Sequence, residues 1–535
     1  MPAADGAIIG AQVRTLDAGR PAATAIAWRD GAIVAVGADD EVRGVCGAGT
    51  ELIDGHGATV LPGLTDSHIH PFWGTLATRG VDLRSAETLD EVRGRLAEER
   101  RRCGDGAWVL GHSVRYEPFH ASGIRADAIE EALGGAPALL SFYDGHTALA
   151  SRPALALAGV AGARGFPEFA EIVCDADGSP TGALLENGAM DLVRDVVPAW
   201  TEAEALDAYA TTLRALNRVG LTGAHVMVGD PALLATCAQL EARGDLTVRL
   251  LMPMHQAPSI TDAEVEERLP LAGERGRLWR AGTAKFFLDG VLDSGTAWLV
   301  DPGPGGANAH PFWPDVGRYA ELVRRFTDAG FSAITHAVGD GAVRGALDAY
   351  AAAGPPRRGM HRVEHIETLL DEDLPRFAAQ RVAASMQPLH MEGLDDPATP
   401  SSWVDGLSAG RYERGFRAGD LARAGALIPL GSDWFVADFD PRVGLAWAQL
   451  RRKPGRPDLV PYLPAQALDA ETALLGYTTA AARVAGDEDV CGRLRPGLRA
   501  DVTVLGGDPL AIAPDELPDV PVRCTVVGGD VVFAA

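Results

Sequence analysis

No two of the six cysteines (Cys46, Cys103, Cys174, Cys237, Cys491, Cys524) form a C-x-x-C pair. That excludes a cysteine zinc finger and fits reduced thiols. No run approaches the roughly 18 consecutive apolar residues of a membrane span. The first residues, Met-Pro-Ala-Ala-Asp-Gly, lack the basic region and apolar stretch of a secretory signal. Positive charge is in deficit: the formal net charge is −25, so nucleic acid and anionic membrane are disfavoured as partners. Together these absences lead to the expectation of a cytoplasmic protein.

What is present begins with length and patterning. At 535 residues with ordinary hydrophobic and charged content, the chain exceeds one small core and is unlike a disordered one. Residues 7 to 37 alternate in the strand manner, with Asp30-Gly31 as a two-residue hairpin signal. The last 36 residues behave similarly, with strands over 500–505 and 523–527 and a turn at Gly528-Gly529-Asp530. Short β segments at both ends suggest one small β-sandwich built from the two termini (1–58 and 486–535).

Between them the reading is α/β. Residues 80–200, with a charged helix at Glu87 to Arg102 and an apolar run at Ala138 to Tyr143, read as an α/β insertion subdomain. After residue 200, helical stretches alternate with apolar strands at 220–227, 246–254, 281–288, 331–337, 361–366, 382–387 and 426–432. With the strand before His68 that makes eight, which implies a (β/α)8 barrel over 59–79 and 201–485. A doubly wound open sheet is the alternative, but no G-x-G-x-x-G opens a helix after the first strand.

In such barrels the chemistry sits at the C-terminal strand ends. The first strand ends in His68 and His70, an i, i+2 pair that shares one face and offers half of a divalent-metal site. Corresponding positions elsewhere carry Lys285, His336, His365 and Asp433. Large apolar groups beside them (Phe72, Trp73, Phe286, Trp434, Phe435) suggest an apolar substrate pocket. The alternative for Asp433, from its place after Ser432, is to cap a helix, and Lys285 could remain an ammonium paired with Asp289.

The ordered segments Asp-Gly-His-Thr-Ala (144–148), Gly-Ala-Leu-Leu-Glu (182–186), Lys-Phe-Phe-Leu-Asp-Gly (285–290), His-Ala-Val-Gly-Asp (336–340), Arg-Val-Glu-His (362–365), Ser-Met-Gln-Pro (385–388) and Gly-Ser-Asp-Trp (431–434) resemble the amidohydrolase superfamily. Within it they are similar to the YtcJ-like group, amidohydrolase family 3, which includes N-substituted formamide deformylase. The resemblance implies a distorted TIM barrel with a terminal sandwich. It also implies a metal site of His68, His70, Lys285, His336, His365 and Asp433 holding one or two divalent ions, zinc first. Lys285 would be carbamylated by carbon dioxide, and Asp433 would shuttle a proton between activated water and the leaving nitrogen.

The implied reaction is hydrolysis of a non-peptide C–N bond of amide or formamide type, on a small molecule with an apolar portion. A deaminase or cyclic-amide hydrolase, or a catalytically silent metal-binding relative, is the alternative. His146, Trp73, Asp289, Gln387, His390 and Trp434 are the candidate substrate contacts, and Asp340 and Glu364 candidate orienters of the histidines. The second strand has Val226 where relatives often carry aspartate, so inherited specificity does not follow. A homo-oligomer is compatible with this class of barrel.

Overall fold

The computed structural model describes residues 2–104, 106–166, 169–394, 401–407 and 410–535. Its centre is a seven-stranded, all-parallel sheet: β1 (Leu64–Ile69), β2 (Leu221–Val226), β3 (Arg249–Gln256), β4 (Trp279–Phe287), β5 (Ser332–Ala337), β6 (Arg362–His365) and β7 (Ala383–Ser385), adjacent in chain order. The strands are buried on both faces, as parallel strands covered by helices must be.

The eighth expected strand, 426–432, is not a regular strand; one bridge, Met386 to Leu430, is all the ladder it forms. Pro429 has no N–H to give. The segment nevertheless closes the barrel. Leu427 and Pro429 carbonyls accept from Ala384 and Met386 beside β7, while Leu430 accepts from Ser67 and His68 accepts from Asp433 beside β1. Gly431 makes this approach possible, since a Cβ there would lie 2.4 Å from the His68 nitrogen.

The covering helices follow from local sequence. Val316–Ala329 starts at Asp315, whose side chain accepts from the Gly317 N–H, and ends at Gly330 with φ 107°. Between them Tyr319, Leu322, Val323 and Phe326 are buried, an i, i+3, i+4, i+7 stripe. Phe326 and Tyr319 pack on Phe286 of β4, with ring centroids 6.3 and 5.3 Å apart. Each such side chain removed from water contributes about 1.5–3 kcal/mol.

The two ends of the chain meet in one sheet. Val502–Leu505 pairs antiparallel with Thr59–Pro62, which pairs with Gln12–Arg14; Val522–Val527 and Asp530–Ala534 extend it. A separate four-stranded sheet holds the hairpin Ala25–Arg29 with Ala32–Gly37, turned at Asp30 and Gly31, both at positive φ. Ile8, Trp28, Val60, Val502 and Val526 from both sheets share one apolar cluster. The expected insertion contains its own six-stranded sheet, running from Val81–Asp82 to Glu171–Cys174, with apolar clusters of its own.

All six cysteines are free thiols. No helix among the described residues is long and apolar enough to cross a membrane.

Candidate active site

Strand register brings the chemistry to one end. In the β4–β5–β6 ladder, Phe287 stands opposite His336, and Ala337 opposite His365. His68 and His70 converge as their spacing requires: both Nε2 atoms face Asp433 Oδ1, at 3.1 and 2.9 Å. His365 and Asp433 hold φ of 72° and 58°, a left-handed geometry that non-glycine residues adopt at a cost and that clusters at functional sites. No helix begins at Asp433 (the next, Pro441–Leu450, is capped by Asp440), so the helix-cap reading is not realised.

Two donor groups form around Asp433: His68, His70 and Asp433, and His365, His390 and Asp433, each with its ligand atoms within 4.8 Å of one another. The structure tests directly whether they suit a cation. His70 Nδ1, both nitrogens of His365, His390 Nε2, Lys285 Nζ and Asp433 Oδ1 are buried without a hydrogen-bond partner among the described residues. Buried polar atoms left unpaired are costly, and this set, neutral imidazoles with a carboxylate, is a zinc-type donor set. Burial keeps His70 neutral, its pKa lowered to about 4, and pushes His336 and His365 well below the usual imidazole value.

His68 differs. Burial would lower it, but Asp433 and Glu364 outweigh burial and raise it. Glu364, fully buried, bonds His68 Nδ1 at 2.6 Å. Burial pushes the Glu364 carboxyl up, yet Arg362 and His68 hold it at about 2. Arg362, which the sequence reading missed, is buried beneath. Its Nη1 donates to the Ser67 carbonyl, and its Nε stands 3.4 Å from Glu364. Asp66 was missed too; its carboxylate accepts the backbone N–H groups of His68 and Ser432 and ties β1 to the closing segment.

Lys285 is fully buried, with Nζ 4.6 Å over the Phe287 ring, and burial lowers its pKa to about 8. It does not pair with Asp289. That carboxylate accepts the backbone N–H groups of Trp298, Val338 and Gly339, and burial raises it to about 8 against those bonds. Asp289 therefore organises the loops after β4 and β5 and is not among the residues lining the cavity over the site. His336 donates through Nε2–H to the Gly290 carbonyl at 3.0 Å and stacks on Phe287.

A cavity opens over these groups, with His146, His336, His365, His390 and Asp433 in its lining and Tyr116, Tyr143, Asp144, Asp293, Glu367 and Trp403 in its walls. His146 reaches it from the 80–200 region, fixed by Glu186 at 2.7 Å. Burial lowers the His146 pKa, but Glu186 and Asp144 raise it to about 9.

The aromatic residues expected to build an apolar pocket do not line this cavity, whose apolar walls are instead Val291, Leu389, Leu394, Trp403 and Val436, and several expected substrate contacts lie elsewhere. Trp73 and Phe435 close edge-on over His70, and Trp73 lines a different crevice with Arg79 and Trp200. Trp434 packs on Phe439, Phe72 on Tyr209, and Phe286 among Trp313, Tyr319 and Phe326. Gln387 is buried behind the site, beside Met386 and Leu430. Asp340 pairs with Arg411 and is not an orienter of a histidine.

A model of the amidohydrolase family matches residues 51–533. The chain belongs to that family. Family membership makes it a hydrolase acting on carbon–nitrogen bonds. Among curated relatives it is 28% identical to the putative amidohydrolase YtcJ of Bacillus subtilis, covering 95% of this chain and 96% of that one. It is also 28% identical to the N-substituted formamide deformylase of Arthrobacter pascens, over 98% and 97%. Of solved structures, an uncharacterised metal-dependent hydrolase from Pyrococcus horikoshii shares the fold at a TM-score of 0.75 and 22% identity, over 95% of this chain and 99% of that one.

Proposed function

We propose that this amidohydrolase is a divalent-metal enzyme, zinc first, that hydrolyses a non-peptide amide or formamide bond of a small N-acyl or N-formyl compound. The observation that carries the reading is the convergence of His68, His70 and His365 on the single carboxylate of Asp433 at a cavity floor. Lys285 and His336 complete the ligand set.

When bound, a divalent cation supplies Lewis acidity and brings the ionisation of water toward neutral pH. The chain's own residues do the rest. Glu364 accepts from His68 Nδ1–H and so directs the Nε2 lone pair inward. Asp433, a carboxylate held well below its ordinary pKa by His68 and His70 against burial, takes the proton of the attacking water and returns it to the leaving nitrogen. His146, kept protonated by Glu186, donates a hydrogen bond to the carbonyl oxygen as it gains charge.

Lys285 is the candidate for a carbamate. It is one of only two lysines in a chain of 48 Lys plus Arg, and arginine could serve any role that needs only a buried cation. An amine at a pKa of about 8 is partly neutral near pH 7.5 and can add carbon dioxide, which arginine cannot.

The residue ranges 59–79 with 201–485 as barrel, 80–200 as insertion, and 1–58 with 486–535 as a two-sheet sandwich form the proposed division of the chain. The test of function is a screen of N-formylated and N-acylated amines and amino acids on zinc-loaded protein. Turnover abolished by chelation and restored by zinc supports the reading; turnover indifferent to chelation refutes it.

A further inference from the structure

Asp433 sorts the histidines around it into two pairs. Its Oδ1 faces His68 Nε2 and His70 Nε2 at 3.1 and 2.9 Å, whereas its Oδ2 faces His365 Nδ1 and His390 Nε2 at 3.9 and 3.6 Å. Ligand atoms about 2.0–2.1 Å from one tetrahedral ion stand about 3.3–3.4 Å from each other, and these separations bracket that value. The second pair lies too far from Oδ2 for hydrogen bonds, so nothing within the described chain explains why its nitrogens converge there without partners.

We infer that His390 is a metal ligand, which with His365 and Asp433 Oδ2 holds a second cation beside the one at His68 and His70. This rests on the metal-dependent reading above and adds to it a residue from the turn Pro388–Met391 after β7. Two observations converge. Both nitrogens of His365 and Nε2 of His390 are buried and unpaired among the described residues. Behind His390, Glu367 stands 3.4 Å from Nδ1, as Glu364 stands behind His68; a carboxylate behind a ligating imidazole is the usual orienting partner. Glu367 is itself fixed by the Trp403 indole N–H at 2.7 Å.

The test is calorimetric zinc titration of chelator-stripped full-length protein, with bound metal counted after dialysis and cobalt(II) absorption as a second signal. Wild type is expected to take two ions per chain. His390→Asn is expected to keep the first ion at unchanged affinity and to lose the second or bind it at least about tenfold more weakly. Glu367→Gln, which leaves every ligand in place, is expected to weaken the second step alone, and serves if His390→Asn does not fold. A wild type saturated by one ion, or variants that bind two ions as wild type does, overturns the inference. A one-ion wild type that still hydrolyses the screened substrates leaves the proposed function standing; zinc binding with no turnover of any substrate does the reverse.

Discussion

Glu364 of β6 bonds Nδ1 of His68 on β1 at 2.6 Å, and not the histidine beside it in sequence. Below it Arg362 lies 3.4 Å away and also donates to the carbonyl of Ser67. One buried ion pair therefore sets the tautomer of the first-strand histidine and fixes the backbone just before it. Glu364→Gln keeps an acceptor for Nδ1–H but leaves the Arg362 charge without its counter-ion. Zinc affinity at the His68 site is expected to fall about 10–100-fold, and stability by about 3–5 kcal/mol. Competition with a chelator and urea denaturation measure the two; a variant unchanged in both would separate Glu364 from the site.

Asp433 is expected to behave differently under the same kind of substitution. Asp433→Asn retains the shape of the side chain but can no longer accept a proton from water. A loss of about 10²–10⁴ in kcat follows if proton transfer passes through this carboxylate. Steady-state kinetics with the metal content of each sample determined decides the matter, and turnover within a few fold of wild type at equal metal content removes Asp433 from that role.

For Lys285 the measurement is chemical. Protein equilibrated with ¹³C-labelled bicarbonate is expected to show a carbamate carbon signal that Lys285→Ala lacks. The scarcity of lysine makes the assignment clean, because the other one, Lys453, is exposed and lies near Glu392. A signal that survives Lys285→Ala, or no signal in wild type, returns Lys285 to being a buried amine.

Much of this is legible in the sequence, for local reasons. The i, i+2 spacing of His68 and His70 fixes a shared face on any strand, and the Asp30-Gly31 pair forces its turn. The eighth strand was legible only as an apolar run, because Pro429 disrupts the ladder while leaving the hydrophobic pattern intact. Alternation along β6 turns Glu364 away from His365, but what it meets is 296 residues distant and no local pattern carries that. Asp289 and Trp73 lie off the cavity for a related reason: nearness in sequence to a ligand does not say which side of a strand end a side chain takes. The Asp289 carboxylate turned to three backbone N–H groups, and the Trp73 ring closed over the back of His70.

One histidine outside the site gives a pH dependence with a definite sign. His361 is buried at the start of β6; its Nδ1 accepts from the Ala333 N–H and its Nε2 bonds the Gly354 carbonyl. Burial lowers its pKa from 6.5 to about 4. Above pH 6.5 both folded and unfolded chains hold it neutral, and its contribution is fully present. As pH falls from 6.5 toward 4 the unfolded chain takes the proton first, so stability drains, by about 3 kcal/mol at most. Urea midpoints at pH 7 and pH 5 are expected to lie closer together in His361→Gln than in wild type. An equal pH response in both chains would assign the effect to other groups.

The closing segment offers the sharpest link between packing and chemistry. Gly431 sits against β1, where a Cβ would meet the His68 nitrogen at 2.4 Å and its own Cβ at 2.7 Å. These are backbone and Cβ atoms and cannot swing aside, so Gly431→Ala must push the segment off the strand. The neighbouring bonds, Ser67 N–H to Leu430 and Asp433 N–H to His68, are the ones that set Asp433 against the two imidazoles. Overpacking of this kind costs about 1–3 kcal/mol, which a well-built barrel survives, whereas ligand atoms displaced by a few tenths of an ångström lose much of a coordination site. Gly431→Ala is therefore expected to fold, with a lowered Tm, and to bind zinc at His68 and His70 at least about tenfold more weakly. Wild-type zinc affinity in a folded Gly431→Ala chain would show that the position of Asp433 does not depend on this contact.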